Sequence, residues 1–266
     1  ERLSVAAEAG AVEGEVEDVG GRRLFGFHHR LTQLLGANLA PVDVVAVLDE
    51  VRPAGDAAAL LFTDIGVKYY EALGFRPLPA EEVTGRIDPV VPPPPGWALR
   101  PMEAADLDAV TRAHDYSCAR RRITLLRDRE HWEFLFARAE GYFSRFDGSG
   151  LARRYRVAER NGRFAGYLVS LEGDSVFLVR EAGVPGEDSD ALSAVLRLGA
   201  AEAARSGIRS VRAWLPPDAG DMVPEWHLER HPRRSAVPMV HTLGRDLDLS
   251  PLDDAGASFL PYLDQF

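Results

Sequence analysis

The period of apolar and polar positions changes several times along the chain, and each change marks an element. Residues 59–62, Ala-Leu-Leu-Phe, form an apolar run of strand length. Thr63 and Asp64 follow, and their side-chain oxygens can accept the free N–H groups of a first helical turn. Residues 67–73 are good helix formers, and Gly74 stands where a left-handed cap is expected. Phe75 and Leu78 then open an extended segment that Pro77 and Pro79 keep short, with room for one more strand before Ile87. Upstream, Leu3, Val5, Val12, Val16 and Val19 alternate loosely, which predicts one or two strands turned at Ala9-Gly10 or Glu13-Gly14. Leu31, Leu34 and Leu35 fall at helical spacing and end at Gly36, and residues 42–51 read as a strand or a short buried segment.

Residues 90–96, Val-Val-Pro-Pro-Pro-Pro-Gly, interrupt this pattern. Consecutive prolines neither donate to a sheet nor continue a helix, so the stretch is a stiff extended spacer. Trp97 opens a fresh series: a short strand to Arg100-Pro101, then a helix begun by Glu and Asp. Residues 116–146 read as strongly helical, with Trp132, Phe134, Leu135, Phe136, Tyr142, Phe143 and Phe146 giving apolar faces. Three strands are expected at 155–158, 165–171 and 176–179, joined by turns at Asn161-Gly162 and Gly173-Asp174. A helix over 191–206, capped by Ser189 or Asp190 and ended by Gly207, leads to a strand over 208–215 that Pro216-Pro217 stop. The order predicts an N-terminal unit (1–89), a linker (90–96), a C-terminal unit (97–250) and an aromatic tail (251–266) that docks on a groove.

Composition narrows the class. With 266 residues, 46% hydrophobic and 27% charged, the chain can build sizeable cores. Its formal charge of −10 argues against non-specific nucleic-acid binding and against a basic membrane-surface protein. One cysteine, Cys118, excludes an internal disulfide, and no apolar run approaches the roughly 18 residues of a membrane span, so a cytoplasmic protein is expected. His227 and His231 are four apart, but Pro232 opposes a helix there, and no metal site is expected. Arg120, Arg121, Arg122, Arg127 and Arg129 are expected on a solvated face paired with the acidic surplus, an anionic-ligand patch being the alternative.

Two stretches carry candidate chemistry. In residues 20–36 a glycine-containing loop leads into a helix start, where free N–H groups and the helix dipole favour a pyrophosphate. Its core is Arg23-Leu24-Phe25-Gly26-Phe27-His28, with Arg22 beside it. The second stretch is the strand, turn and Tyr69-Tyr70-Glu71-Ala72-Leu73-Gly74-Phe75. Packing of both tyrosines in the core of a short helix is the plain alternative to chemistry there. Together the two stretches resemble the GCN5-related N-acetyltransferase (GNAT) superfamily, with its Arg/Gln-x-x-Gly-x-Gly/Ala turn and its aromatic-Tyr-x-x-x-Gly-Phe segment. His28 departs from the small residue expected there. The resemblance implies an α/β fold with a mixed sheet, built as two GNAT-like units in tandem. The first lacks its opening strand and helices, so either residues before Glu1 complete it or the two units share a sheet differently. The second unit's turn, residues 184–190, has no such motif and carries acids that repel a pyrophosphate, which marks that unit as degenerate.

By the same resemblance the chain is an acyl-CoA-dependent N-acyltransferase, moving an acetyl group from acetyl-CoA to a primary amine of a small molecule or peptide. Tyr70 would be the general acid for the departing thiolate, since a phenol keeps its proton at neutral pH. Arg22, Arg23, Gly26 and His28 would hold the pyrophosphate, and backbone groups near Leu61 and Phe62 would polarise the thioester carbonyl. Asp64 would orient or deprotonate the amine, unless it is only a helix cap. The expected partners are a small amine and, for a homodimer, a second copy of the chain. The competing reading is a GNAT-like binding module, or the fold reused for other biosynthetic chemistry.

Overall fold

The computed structural model describes residues 14–17, 23–26, 58–63, 66–87, 90–119, 127–138, 152–173, 175–215 and 221–243, with backbone alone at 14–17, 23–26, 137–138 and 152–153. The expected segment at 42–51 and the docking tail lie outside the described residues.

Twelve strands in two sheets and four α-helices are found among the described residues. β1 (Gly14–Glu17) and β2 (Arg23–Gly26) form a hairpin, with Gly14 opposite Gly26 and Glu17 opposite Arg23. β3 (Ala58–Thr63) is buried at all six positions, as a strand covered on both faces must be. It runs parallel to β2 through Phe25 opposite Ala59 and Gly26 opposite Leu60. Helix α1 (Val67–Glu71) follows, then β4 (Arg76–Pro77) and β5 (Glu81–Arg86).

Beyond the prolines come β6 (Trp97–Pro101), α2 (Leu107–Cys118) and α3 (Arg129–Arg138). A 3₁₀ turn at Ala104–Asp106 precedes α2; its Asp106 takes a bidentate pair from Arg100 at 2.6 and 2.7 Å and the Glu103 N–H at 2.8 Å. The single helical stretch expected over 116–146 is therefore at least two elements: α2 ends at Cys118, and Asp128 opens α3 by accepting the His131 N–H at 2.8 Å. β7 (Ala152–Arg160), β8 (Arg163–Glu172) and β9 (Val176–Gly183) form the expected meander. Its first turn carries Asn161 and Gly162 at φ 53° and 73°, the pair of positive angles a two-residue hairpin demands. Helix α4 (Ser189–Arg205) is capped by Asp188, whose carboxylate accepts the Ala191 N–H at 2.8 Å, rather than by Ser189 or Asp190. β10 (Ser210–Ala213), β11 (Glu229–Pro232) and β12 (Val237–Thr242) complete the set.

Strands cross between the two halves of the chain. The five-stranded sheet runs β1-β2-β3-β12-β4, and the seven-stranded sheet runs β11-β5-β10-β9-β8-β7-β6. Strand β5, from before the prolines, is held antiparallel between β10 and β11; β12, from near the end, is held antiparallel between β3 and β4. Each sheet thus contains one strand from the other side of the linker, and each has one described parallel pair: β2 with β3, and β9 with β10.

The cores follow the sheets. One cluster joins α4 to one face of the larger sheet through Leu168, Phe177, Val195 and Leu196, and extends to Trp226. A second packs α2 and α3 on it through Leu107, Val110, Trp132, Leu135 and Tyr167. A smaller cluster joins Ala59, Leu61, Tyr70, Phe75 and Met239 across β3, α1 and β12.

Candidate functional site

Ligands in open α/β sheets gather outside the carboxyl ends of parallel strands, so the two parallel pairs are the places to look. They are built differently.

At the first pair, β2 meets β3 only at Ala59 and Leu60. On the β2 side, no strand among the described residues pairs with Leu61, Phe62 or Thr63, which continue β3 towards α1. Leu61 and Phe62 are both buried, 2% and 5% exposed. Thr63 Oγ1 accepts the Gly66 N–H at 3.2 Å, so this side-chain bond falls just ahead of the helix and no side-chain cap closes α1 itself. Arg23 and Gly26 open and close β2, so both lie on a strand and not in the expected turn; residues 27–36 lie outside the described residues. Arg22, His28 and Asp64 lie outside the described residues.

Tyr70 is the buried residue of α1, 2% exposed. Its ring meets Tyr69 edge-on at 4.9 Å and Phe75 at 5.9 Å. Burial, and then the neighbouring Tyr69, push its phenol above the ordinary tyrosine range. It therefore holds its proton at any physiological pH, which suits an acid and not a base. The helix ends in crossed bonds: Phe75 N–H to Tyr70 O and Gly74 N–H to Glu71 O, both 3.0 Å, with Gly74 at φ 86°. That is a Schellman motif, and the Tyr70–Phe75 ring contact is the apolar pair that accompanies it. The same contact fixes Tyr70 with respect to the following strand.

At the second pair the carboxyl end is closed by a buried ion pair. β9 pairs with β10 from Val176 to Val179, and Glu181 lies just beyond, 2% exposed. Arg180 is an extra residue in β9 at this point, because Val169 pairs with Glu181 while Ser170 pairs with Val179. Arg127 grips Glu181 with two bonds of 2.7 Å, Tyr167 donates to the same carboxylate, and His114 Nδ1 lies 3.1 Å from it. Cys118 Sγ sits 3.4 Å from His114 Nε2, and the Arg127 guanidinium lies 4.7 Å from the centre of the Trp132 ring.

Burial alone would raise the Glu181 carboxyl, but the Arg127 charge, then His114, hold it below the usual carboxylate range. For His114, burial and the Arg127 charge press downward, yet its bonds to Cys118 and Glu181 carry it up to about 10. The order thiol, imidazole, carboxylate resembles a nucleophile with its base and orienting acid. Here, however, Arg127 occupies both carboxylate oxygens and every member is buried, so the assembly clamps α2 and the approach to α3 onto β8 and β9. Arg127 is thus a buried partner of Glu181 and not part of a solvated arginine face. One lone acid in the apolar sequence of β9 was the available sign of this network.

Elsewhere a cleft of about 460 Å³ is lined by Ser189, Asp190, Ser193, Arg197, Asp221, Met222 and Pro224. Arg197 is already paired with Glu225 at 2.6 Å. No group of three or more candidate metal ligands occurs among the described residues, and no described helix is long and apolar enough to cross a membrane.

No family model and no curated protein matches the sequence. Solved structures do match the fold. A GCN5-related N-acetyltransferase from Anabaena variabilis aligns with TM-score 0.61 and 12% identity, over 88% of this chain and 59% of that one. A probable N-acyltransferase from Enterococcus faecalis aligns with TM-score 0.60 and 14% identity, over 88% and 58%. Saccharomyces cerevisiae N-myristoyltransferase with bound myristoyl-CoA aligns with TM-score 0.53 and 13% identity, over 87% and 65%. The chain therefore has the GNAT fold, and it spans about three-fifths of the length of these proteins.

Proposed function

We propose that the chain is an acyl-CoA-dependent N-acyltransferase whose chemistry lies at the first parallel pair, with acetyl transfer to a primary amine as the specific reaction. The observation that carries this reading is the path from the β2–β3 pair, along β3, into a helix whose buried Tyr70 keeps its proton. It is supported by the fold shared with N-acetyl- and N-myristoyltransferases.

Coenzyme A supplies the activated thioester. This chain's own residues bind, polarise and protonate. Arg22, Arg23, Gly26 and His28 receive the pyrophosphate, where guanidinium charge and close backbone approach favour an anion. Backbone N–H groups around Leu61 and Phe62, on the stretch of β3 past the β2 ladder, face the developing oxyanion. Asp64 orients the amine or takes its proton. The amine attacks the thioester carbonyl, the C–S bond breaks, and the Tyr70 hydroxyl gives its proton to the leaving thiolate.

The second unit serves as a scaffold in this reading. Its β9–α4 turn carries Glu187 and Asp188, the first turn of α4 adds Asp190, and Asp188 is committed to the helix cap. Negative charge there opposes a pyrophosphate. The acidic chain also suits a cationic amine as acceptor.

The test is thermal denaturation with acetyl-CoA, free coenzyme A and buffer alone, run on the wild type and on Tyr70→Phe, alongside thiol release from acetyl-CoA with spermidine and tyramine as acceptors. Ligand at 100 times its dissociation constant stabilises the fold by about 2.7 kcal/mol. Stabilisation of both proteins, with thiol release lost in the variant, supports the assignment. No stabilisation by either coenzyme removes it and leaves a GNAT-like binding module.

A further inference from the structure

The helix that carries Tyr70 is completed by a residue about 170 positions later in the chain. Strand β12 lies between β3 and β4 in a continuous register, with His241 opposite Ala59, Met239 opposite Leu61 and Val240 opposite Arg76. His241 Nδ1 lies 2.9 Å from the Gly74 carbonyl oxygen. A carbonyl only accepts, so Nδ1 carries the proton and donates. The His241 ring also lies 5.1 Å from the Phe75 ring, tilted by 38°. Phe75 in turn meets Tyr70. From the other side, fully buried Met239 joins Tyr70, Phe75 and Leu61 in one cluster.

Gly74 records how close this approach is. A Cβ there would stand 3.0 Å from both Nδ1 and Cε1 of the His241 ring, in addition to the strain of φ 86°. The backbone turn that ends α1 and the imidazole from β12 are thus fitted to each other.

From this geometry we infer that His241 is a positioning residue for Tyr70. It holds the Gly74 carbonyl and the Phe75 ring, and through them sets where the phenol points. The inference rests on the Tyr70 assignment made above for catalysis, but the positioning itself does not depend on it. It makes the first site composite: the acid comes from before the proline linker and its support from beyond it. Proton transfer is sensitive to small displacements of the donor, so loosening this support should lower kcat by about tenfold and leave KM for acetyl-CoA little changed.

The experiment compares His241→Asn, His241→Gln and His241→Ala in the full chain. The Asn amide nitrogen takes the place of Nδ1 and can donate to Gly74 O; the Gln amide is one bond too long. Two readouts are taken: kcat and KM for acetyl-CoA with the same amines, and the ring resonances of tyrosine labelled with carbon-13, with Tyr70 assigned by its loss in Tyr70→Phe. The expected result is a displaced Tyr70 resonance and lowered kcat in the Ala and Gln variants, with both restored towards wild type by Asn. An unmoved Tyr70 resonance with unchanged kcat in folded Ala or Gln variants overturns the inference, as does equal rescue by Gln and Asn. Should His241→Ala fail to fold, the Asn and Gln pair, which retain a polar side chain, carry the comparison. If no form of the protein transfers an acetyl group, the acyltransferase reading falls, and the Tyr70 resonance still decides whether His241 positions that ring.

Discussion

The two described parallel pairs of strands, β2–β3 and β9–β10, have different carboxyl ends. Past the β2–β3 pair the chain enters α1 and presents a neutral, proton-holding phenol bordered by aromatic rings. Past the β9–β10 pair it enters a closed assembly of charges, in which Arg127 takes both oxygens of Glu181 and Tyr167 and His114 share Oε1 with it. The difference teaches that buried polarity is not a sign of chemistry by itself. The buried Glu181 carboxylate is already matched by the Arg127 charge and shielded from solvent, whereas the Tyr70 phenol is neutral and keeps its proton. Stability and activity are therefore expected to separate between the two regions.

The largest separation is expected from Tyr70→Phe. Removal of a general acid costs about 10²- to 10⁴-fold in rate, while the ring and its contacts with Phe75 remain, so the urea midpoint should change little. Loss of activity together with a collapsed midpoint would erase the contrast.

Glu181→Ala is expected to do the reverse. It leaves the Arg127 guanidinium buried without its partner, which costs about 3–5 kcal/mol, read from urea unfolding followed by tryptophan fluorescence. Acetyl-CoA should still stabilise whatever fraction is folded. A wild-type midpoint would mean that the ion pair contributes nothing net.

The same network sets a pH dependence. Glu181 has a depressed folded value, so its contribution is complete above the ordinary 4.5 and is lost as pH falls towards about 2. His114 has a raised folded value, so its contribution is complete below 6.5 and fades as pH rises to about 10. Unfolding free energy measured across this range should fall at both ends, and Glu181→Gln should flatten the acid limb. An unchanged acid limb in that variant would assign acid sensitivity to other carboxylates.

A smaller effect is expected at the junction between the halves. Gly74→Ala places a Cβ against the His241 ring and in a left-handed conformation, which costs about 1–2 kcal/mol. Substitution of Gly207, also at φ 86° but with open space around its Cβ position, carries the conformational strain alone. A larger loss in Gly74→Ala than in Gly207→Ala, by thermal denaturation, would isolate the contact with β12.

How much of this was legible in the sequence follows from how local each signal is. Strand β3, helix α1, its Gly74 end and the β7–β8–β9 meander are written in nearby residues: an apolar run, an aromatic pair before a glycine, an Asn-Gly turn. The resemblance to the GNAT fold was legible for the same reason. Strand β11, Glu229–Pro232, is exposed at every position and has no alternation to betray it. Strand β12 carries Pro238 and only three buried residues, and its place between β3 and β4 is set by partners some 180 residues earlier. The Arg127–Glu181 pairing spans three elements, so a run of arginines looked like a solvated face. His241 was one of several histidines in an arginine- and proline-rich stretch until β12 brought it to Gly74.

The most direct test of where the chemistry lies is hydrogen–deuterium exchange with and without saturating acetyl-CoA. Slowed exchange is expected in peptides covering β3 and α1, with β9, the following turn and the start of α4 unaffected. Protection centred on β9 and the α4 N-terminus, with β3 and Tyr70 unchanged, would place the coenzyme at the other pair and contradict the proposed site.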